Sequence, residues 1–167
     1  TQNPLDSVGT YPLPVAQLDR FLFKIRMNHI ERAAELEVLN AWGLPREVQA
    51  LPTVSRTQVI EAREAVRRQV FVSEPVKTCL VDVAAAIRQD KRCAQGVSTR
   101  SLVQAIPALQ ARATLKGRDF VSAEDIKALA PVLFEHRLSL IPGVRDAREV
   151  INDALAGPLD TLARATI

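Results

Sequence analysis

The stretch that most restricts the fold runs from Ser73 to Ile87. Val76, Leu80, Val83, Ala84 and Ile87 fall at i, i+4, i+7, i+8 and i+11, which places them on one face of a helix with 3.6 residues per turn. Ser73 can accept from the orphan N–H groups of the first turn, Glu74 suits the positive end of the helix dipole, and Pro75 is tolerated where no backbone donor is needed. A helix with one apolar face depends on packing for most of its stability. The rest of the chain must therefore supply partners for it.

Other helical patterns flank this one. Ile30 to Trp42 carries Ala33, Leu36 and Leu39 at helical spacing, and Gly43 and Pro45 end it. Ser55 followed by Gln58 is a capping-box signature opening a helix from Arg56 to about Val70, with Val59, Ala62, Val66 and Val70 on one side. Ser98 can cap a helix whose buried face is Leu102, Ile106, Leu109 and Ala113; Pro107 inside it removes one backbone bond and bends it. Gly117 stops that helix, and Ser122 with Asp125 opens the next, striped by Ile126, Leu129, Ala130 and Leu133. A last helix is expected from about Val144 to Ala156, broken by Gly157-Pro158. Only Arg20 to Asn28 alternates with period two, Phe21, Phe23, Ile25 and Met27 against Leu22, Lys24 and Arg26, which argues one strand.

With 167 residues, 47% of them apolar and 25% charged, the chain can bury one real core and has the balance of a soluble globular protein. No apolar run approaches the roughly 20 residues of a membrane span. Cys79 and Cys93 are too few for a disulfide framework and read as small structural thiols in a reducing compartment. His29 and His136 read as structural or surface residues. No HExxH, paired CxxC or locally spaced Ser-His-Asp set is present, so no metal site is expected. The net charge of +3 is modest, but Arg88, Lys91, Arg92, Arg100, Arg112, Lys116 and Arg118 share one stretch with a single acid, Asp90. Such a stretch can be a solvated face or can meet phosphates.

The opening segment, TQNPLDSVGTYPLPVAQLDRF, is dense in Pro and Gly with no strand before it and reads as the middle of a domain. Here a resemblance enters. Thr1 to Pro4 (TQNP) and Leu18 to Phe21 (LDRF) resemble the segment after the fourth core strand of the MoxR family of AAA+ ATPases. Gly96 to Ser101 resembles that family's GASPRA motif, with Val97 for Ala and Thr99 for Pro, and Gly117 to Ile126 gives a third match in the same order. The resemblance covers nearly the whole chain.

The resemblance implies a mainly α fold: a helical-bundle AAA+ lid domain with an N-terminal remnant, loop and one strand, of an α/β core. The implied boundaries are 1–29 for the end of the core, 30–72 for linking or inserted helices and 73–167 for the lid. It implies sensor 1 at Asn3, an arginine finger at Arg20 and sensor 2 at Arg100. A sensor 1 amide both donates and accepts between the attacking water and the γ-phosphate; the alternative is an Asn capping its own turn before Pro4. Arg20 offers a planar guanidinium to charge developing on the γ-phosphate; the alternative is a pair with Asp19 or Asp6. Arg100 in a helix's first turn adds charge to an anion-ready end, acting within its own subunit or on the next.

ATP and Mg²⁺ are the implied cofactors of the complete protein. This chain has no GxxxxGK[ST] loop, so none is expected to bind it alone and it is expected to be inactive by itself. The implied partners are further copies in a homo-oligomeric ring, a hexamer, and a von Willebrand factor A domain protein, in the cytoplasm, with remodelling or maturation of a protein client as the task. A different reading is a basic helical nucleic-acid-binding module, poorly supported because no aromatic interleaves with the basic run before Phe120. A third is a helical protein-interaction module.

Overall fold

The stripe on Ser73 to Ile87 lies at the centre of the core. The computed structural model describes residues 13–43 and 52–165. Its helices are α1 (Val15–Leu18), α2 (Arg32–Asn40), α3 (Arg56–Gln69), α4 (Glu74–Gln89), α5 (Thr99–Leu115), α6 (Ala123–Phe134) and α7 (Ala147–Ala165). Two short antiparallel strands, β1 (Cys93–Gln95) and β2 (Ser139–Leu140), pair beside them, and Glu135–Arg137 forms a 3-10 turn directly after α6. The fold is mainly α, as the periodicity requires.

Val76, Leu80, Val83, Ala84 and Ile87 are all buried, and α7 lies along α4. Helix α6 packs on α5 and α7, and Leu109, Ile126, Leu133, Phe134, Val150 and Ile151 complete the interior. Helix starts follow the capping logic. Ser73 accepts from Val76 N–H, Ser55 and Gln58 exchange both bonds of a capping box, and the Asp125 carboxylate reaches back to Ser122 N–H at 2.9 Å. Gly117 takes φ +70°, a left-handed exit that suits glycine after α5.

Helices α2 and α3 bury none of their own residues. The chain leaving α3 is nevertheless fixed: Val70 is buried, its carbonyl accepts from Gln110 Nε2 at 2.7 Å, and Phe71 exchanges backbone bonds with Asp119 and Val121. On α3 the expected stripe is thus buried only at its end, with Val59 exposed.

Two sequence expectations change. The alternating segment from Arg20 to Asn28 forms no strand. No neighbouring strand is offered to it among the described residues; instead Lys24 N–H bonds the Val132 carbonyl on α6 at 2.9 Å, and Phe21, Ile25 and Met27 stay exposed. It leans on the helices as an irregular strap. Helix α7 starts three residues later than expected from Val144 and runs through Gly157-Pro158 to Ala165. The missing N–H of Pro158 costs about 3 kcal/mol in a helix interior, but Leu155 before it and Leu162 after it are both buried, each worth roughly 1.5–3 kcal/mol. Burial wins. The loop Ser139 to Gly143 supplies β2 against β1, a pairing too short to show as alternation.

Candidate functional site

Gly96 to Ser101 carries the chain from β1 into α5, and each residue has a distinct task. A Cβ on Gly96 would stand 2.9 Å from Arg88 Cγ and 3.1 Å from Arg88 Cα, so only glycine passes the α4 backbone this closely. Arg88 Nε donates to the Val97 carbonyl at 2.9 Å, and the Val97 side chain is buried. Ser98 Oγ accepts from Ser101 N–H at 3.2 Å and caps α5. Arg100 follows in the first turn, exposed and in no ion pair with any described residue. Its charge therefore adds to the positive end of a 17-residue helix, with no acid among the described residues paired to it.

Ser101 is fully buried, and its hydroxyl donates to Asp19 Oδ1 at 3.1 Å. This bond joins the Leu18-Asp19-Arg20-Phe21 segment to the start of α5. Arg20 itself is exposed and pairs with no described residue. Of the two acids that offered it an internal partner, Asp19 is engaged with Ser101, and Asp6 lies outside the described residues. Asn3 also lies outside them. The structure thus brings two of the three sequence-derived candidates, Arg20 and Arg100, onto one linked unit.

Residues that the sequence did not single out build the rest of that unit. Arg137, 2% exposed, donates from Nη2 to the Phe21 carbonyl at 2.8 Å and to Gln104 Oε1 at 2.7 Å, with Nε 3.8 Å from Asp19 Oδ1. His136 Nε2 lies 2.8 Å from the same Phe21 carbonyl. Burial holds the His136 pKa below its usual 6.5, and the neighbouring Arg137 and Lys24 charges act in the same direction. The hydrogen bond with the Phe21 carbonyl opposes that fall in part, and Nε2 faces both this carbonyl at 2.8 Å and Arg137 Nε at 3.3 Å. His136 was expected to be structural or on the surface; it is structural, and what it holds is the backbone beside Arg20.

A second anchor lies one residue earlier. The Glu135 carboxylate is 1% exposed and receives Arg148 Nε at 2.7 Å, Arg26 Nη2 at 2.6 Å and Lys24 Nζ at 3.1 Å. Burial alone would raise its pKa; the hydrogen bonds from Arg148, Arg26 and Lys24 outweigh burial and hold it at about 2. This node ties the strap at Lys24 and Arg26 to the turn after α6.

Most of the basic stretch is consumed internally. Arg92 bonds Asp90 and Asp153, Arg118 grips Asp125 with two nitrogens at 2.8 and 2.7 Å, Arg112 lies 3.2 Å from the same carboxylate, and Arg88 holds Val97. Of its arginines only Arg100 is left without such a partner among the described residues. Among the described residues, no group of three or more His, Cys, Asp or Glu could hold a metal ion, and no helix is long and apolar enough to cross a membrane.

Residues 85–155, which contain the Gly96 to Ser101 turn and α5, match the family described as the AAA lid domain. The chain is 38% identical to the Bacillus subtilis protein YeaC over 85% of its own length and 34% identical to Chaperone MoxR1 of Mycobacterium tuberculosis over 84%. It is 24% identical to Protein MoxR of Methylorubrum extorquens over 96%. A crystal structure from Cytophaga hutchinsonii, of a protein provisionally called an ATPase, superposes on 92% of the chain with a TM-score of 0.83 and 31% identity. The chain belongs to the MoxR family of AAA+ ATPases. It spans 44%, 39% and 53% of the lengths of these three relatives and 51% of the crystallised chain. The MoxR assignment gives the Gly96 turn and the Asp19 to Ser101 bond a common setting: both belong to an AAA lid and the segment strapped to it.

Proposed function

We propose that this chain is the nucleotide-sensing lid and arginine-finger part of a MoxR ATPase, working with a phosphate-loop core to convert ATP hydrolysis into lid motion. The observation that carries the proposal is the Ser101 to Asp19 hydrogen bond at 3.1 Å. It links the helix start bearing exposed Arg100 to the segment bearing exposed Arg20. Each of the two unpaired guanidinium groups suits a phosphate group.

Within that reading, residues 1–29 close the core, 30–72 are linking helices and 73–167 form the lid. Arg100 and the first-turn N–H groups of α5 not taken by the Ser98 cap would hold phosphate, a donor set that fits ATP. Arg20 would meet the γ-phosphate of a neighbouring copy in a ring, a hexamer, where such a finger accelerates phosphoryl transfer by roughly three to five powers of ten. Asn3 would be sensor 1. Mg²⁺ would be held by the nucleotide's phosphates and the phosphate-loop core. ATP supplies the phosphoanhydride whose cleavage drives the cycle.

The task of the complete protein is chaperone-like remodelling of a client in the cytoplasm, alongside a von Willebrand factor A domain partner. A phosphate-backbone reading is weakened because Arg88, Arg92, Arg112 and Arg118 are already engaged within the chain. In the complete ATPase, Arg20→Ala should abolish hydrolysis while leaving nucleotide binding largely intact, and Arg100→Ala should weaken the response to nucleotide. Normal turnover in the first variant removes the finger; unchanged affinity and rate in the second remove sensor 2.

A further inference from the structure

Phosphoryl transfer needs its guanidinium placed within a fraction of an ångström, yet Arg20 makes no side-chain bond of its own to a described residue. Its placement must come from its neighbours in sequence. Asp19 is held by the Ser101 hydroxyl at 3.1 Å, and the Phe21 carbonyl by Arg137 Nη2 and His136 Nε2, each at 2.8 Å. Both residues flanking Arg20 are thus gripped from the helical domain.

The central group of the grip is unusual. Arg137 is almost fully buried, its nearest carboxylate oxygen is 3.8 Å away, and its Nη1 has no hydrogen-bond partner. A buried guanidinium with a loose counter-ion and an orphan donor stabilises a fold poorly; an apolar residue of similar size serves that end better. What an apolar residue cannot do is bond Gln104 on α5 and the Phe21 carbonyl with one nitrogen, at 2.7 and 2.8 Å. That fork connects α5, whose first turn bears Arg100, to the peptide next to Arg20.

We infer that Arg137, with Ser101, is a positioning residue for Arg20, making the reach of the finger depend on the placement of α5. The inference rests on the finger reading of Arg20. A lid that shifts when nucleotide meets Arg100 then carries Asp19 and Phe21 with it, so that one subunit's nucleotide state sets the finger offered to the next.

The test uses the complete ATPase with Arg137→Lys, which keeps the charge and loses the fork, and Ser101→Ala, which removes the hydroxyl that meets Asp19 at 3.1 Å and Ser98 Oγ at 3.0 Å. Steady-state hydrolysis should show kcat reduced about 10- to 100-fold in Arg137→Lys, as expected for a misplaced catalytic group. KM for ATP should stay within about twofold, because ground-state binding is untouched. Ser101→Ala should lower kcat in the same way by a smaller factor. Arg20→Ala has no steady-state turnover but keeps the slow rate of a site without its finger, readable in single turnover; in that background neither change should slow it further, whereas a general loss of structure would. A dead Arg20→Ala beside unimpaired Ser101→Ala and Arg137→Lys overturns this inference alone, as do losses that multiply with Arg20→Ala. Full activity of Arg20→Ala overturns the finger reading and this inference together. If Arg137→Lys does not fold, Ser101→Ala decides by the same criteria.

Discussion

Replacing Glu135 by glutamine removes the charge that ties the strap to the lid while preserving size. The wild-type carboxylate is 1% exposed and bonded by Arg148, Arg26 and Lys24, and despite burial those bonds bring its pKa from an ordinary 4.5 to about 2. Glutamine mimics the protonated acid. The penalty at neutral pH is therefore the free energy of that fall, about 3 kcal/mol at 1.36 kcal/mol per pH unit. The three cations are 38–51% exposed, and solvent screening trims the figure toward about 2 kcal/mol. Because the folded-state pKa is depressed, this stability is fully present above 4.5 and is lost as pH falls through about 2. Urea denaturation of both forms, followed by far-UV circular dichroism, should show a gap of about 2–3 kcal/mol at neutral pH. The gap should close as pH approaches about 2. Equal midpoints at neutral pH, or a gap that persists in acid, would refute the reasoning.

Gly96→Ala places a methyl 2.9 Å from Arg88 Cγ and 3.1 Å from its Cα, so thermal melting should show a loss of about 1–3 kcal/mol, and an unchanged midpoint would contradict the close approach. Asp125→Asn leaves Arg118 and Arg112 without their buried carboxylate and weakens the α6 cap; denaturant titration should show a loss of about 3 kcal/mol. Cys79 is buried, and burial beside Asp82 pushes its thiol pKa up to about 11. Alkylation followed by mass spectrometry should therefore modify Cys79 only after unfolding, and rapid modification of the folded chain would show that the α4 face is open.

The helices were legible because their signals are local. A stripe such as Val76 to Ile87 and a cap such as Ser73 or Ser122 act within a few residues, and the chain obeys them. Pro158 is a helix breaker at a local cost, while the burial of Leu155 and Leu162 that overrides it is tertiary and leaves no mark in the sequence around it. Period-two alternation at Phe21 to Met27 misled for the same reason, since a strand exists only where another strand accepts it. Arg20 and Arg100 were recognisable through short motifs. Their coupling was not, because Asp19 meets Ser101 across 82 residues and Phe21 meets Arg137 across 116. The residue pair His136-Arg137 carries no spacing signal at all; only its burial against the Phe21 carbonyl reveals it.

The most direct test of the central claim is ATP hydrolysis by a continuous protein in which these residues follow a MoxR phosphate-loop core, measured for the wild type, Arg20→Ala and Arg100→Ala alongside nucleotide affinity. The expected result is turnover in the wild type, none in Arg20→Ala with affinity retained, and a weakened nucleotide response in Arg100→Ala. Turnover in both variants at the wild-type rate and affinity would contradict the assignment of this lid and its strap to nucleotide sensing.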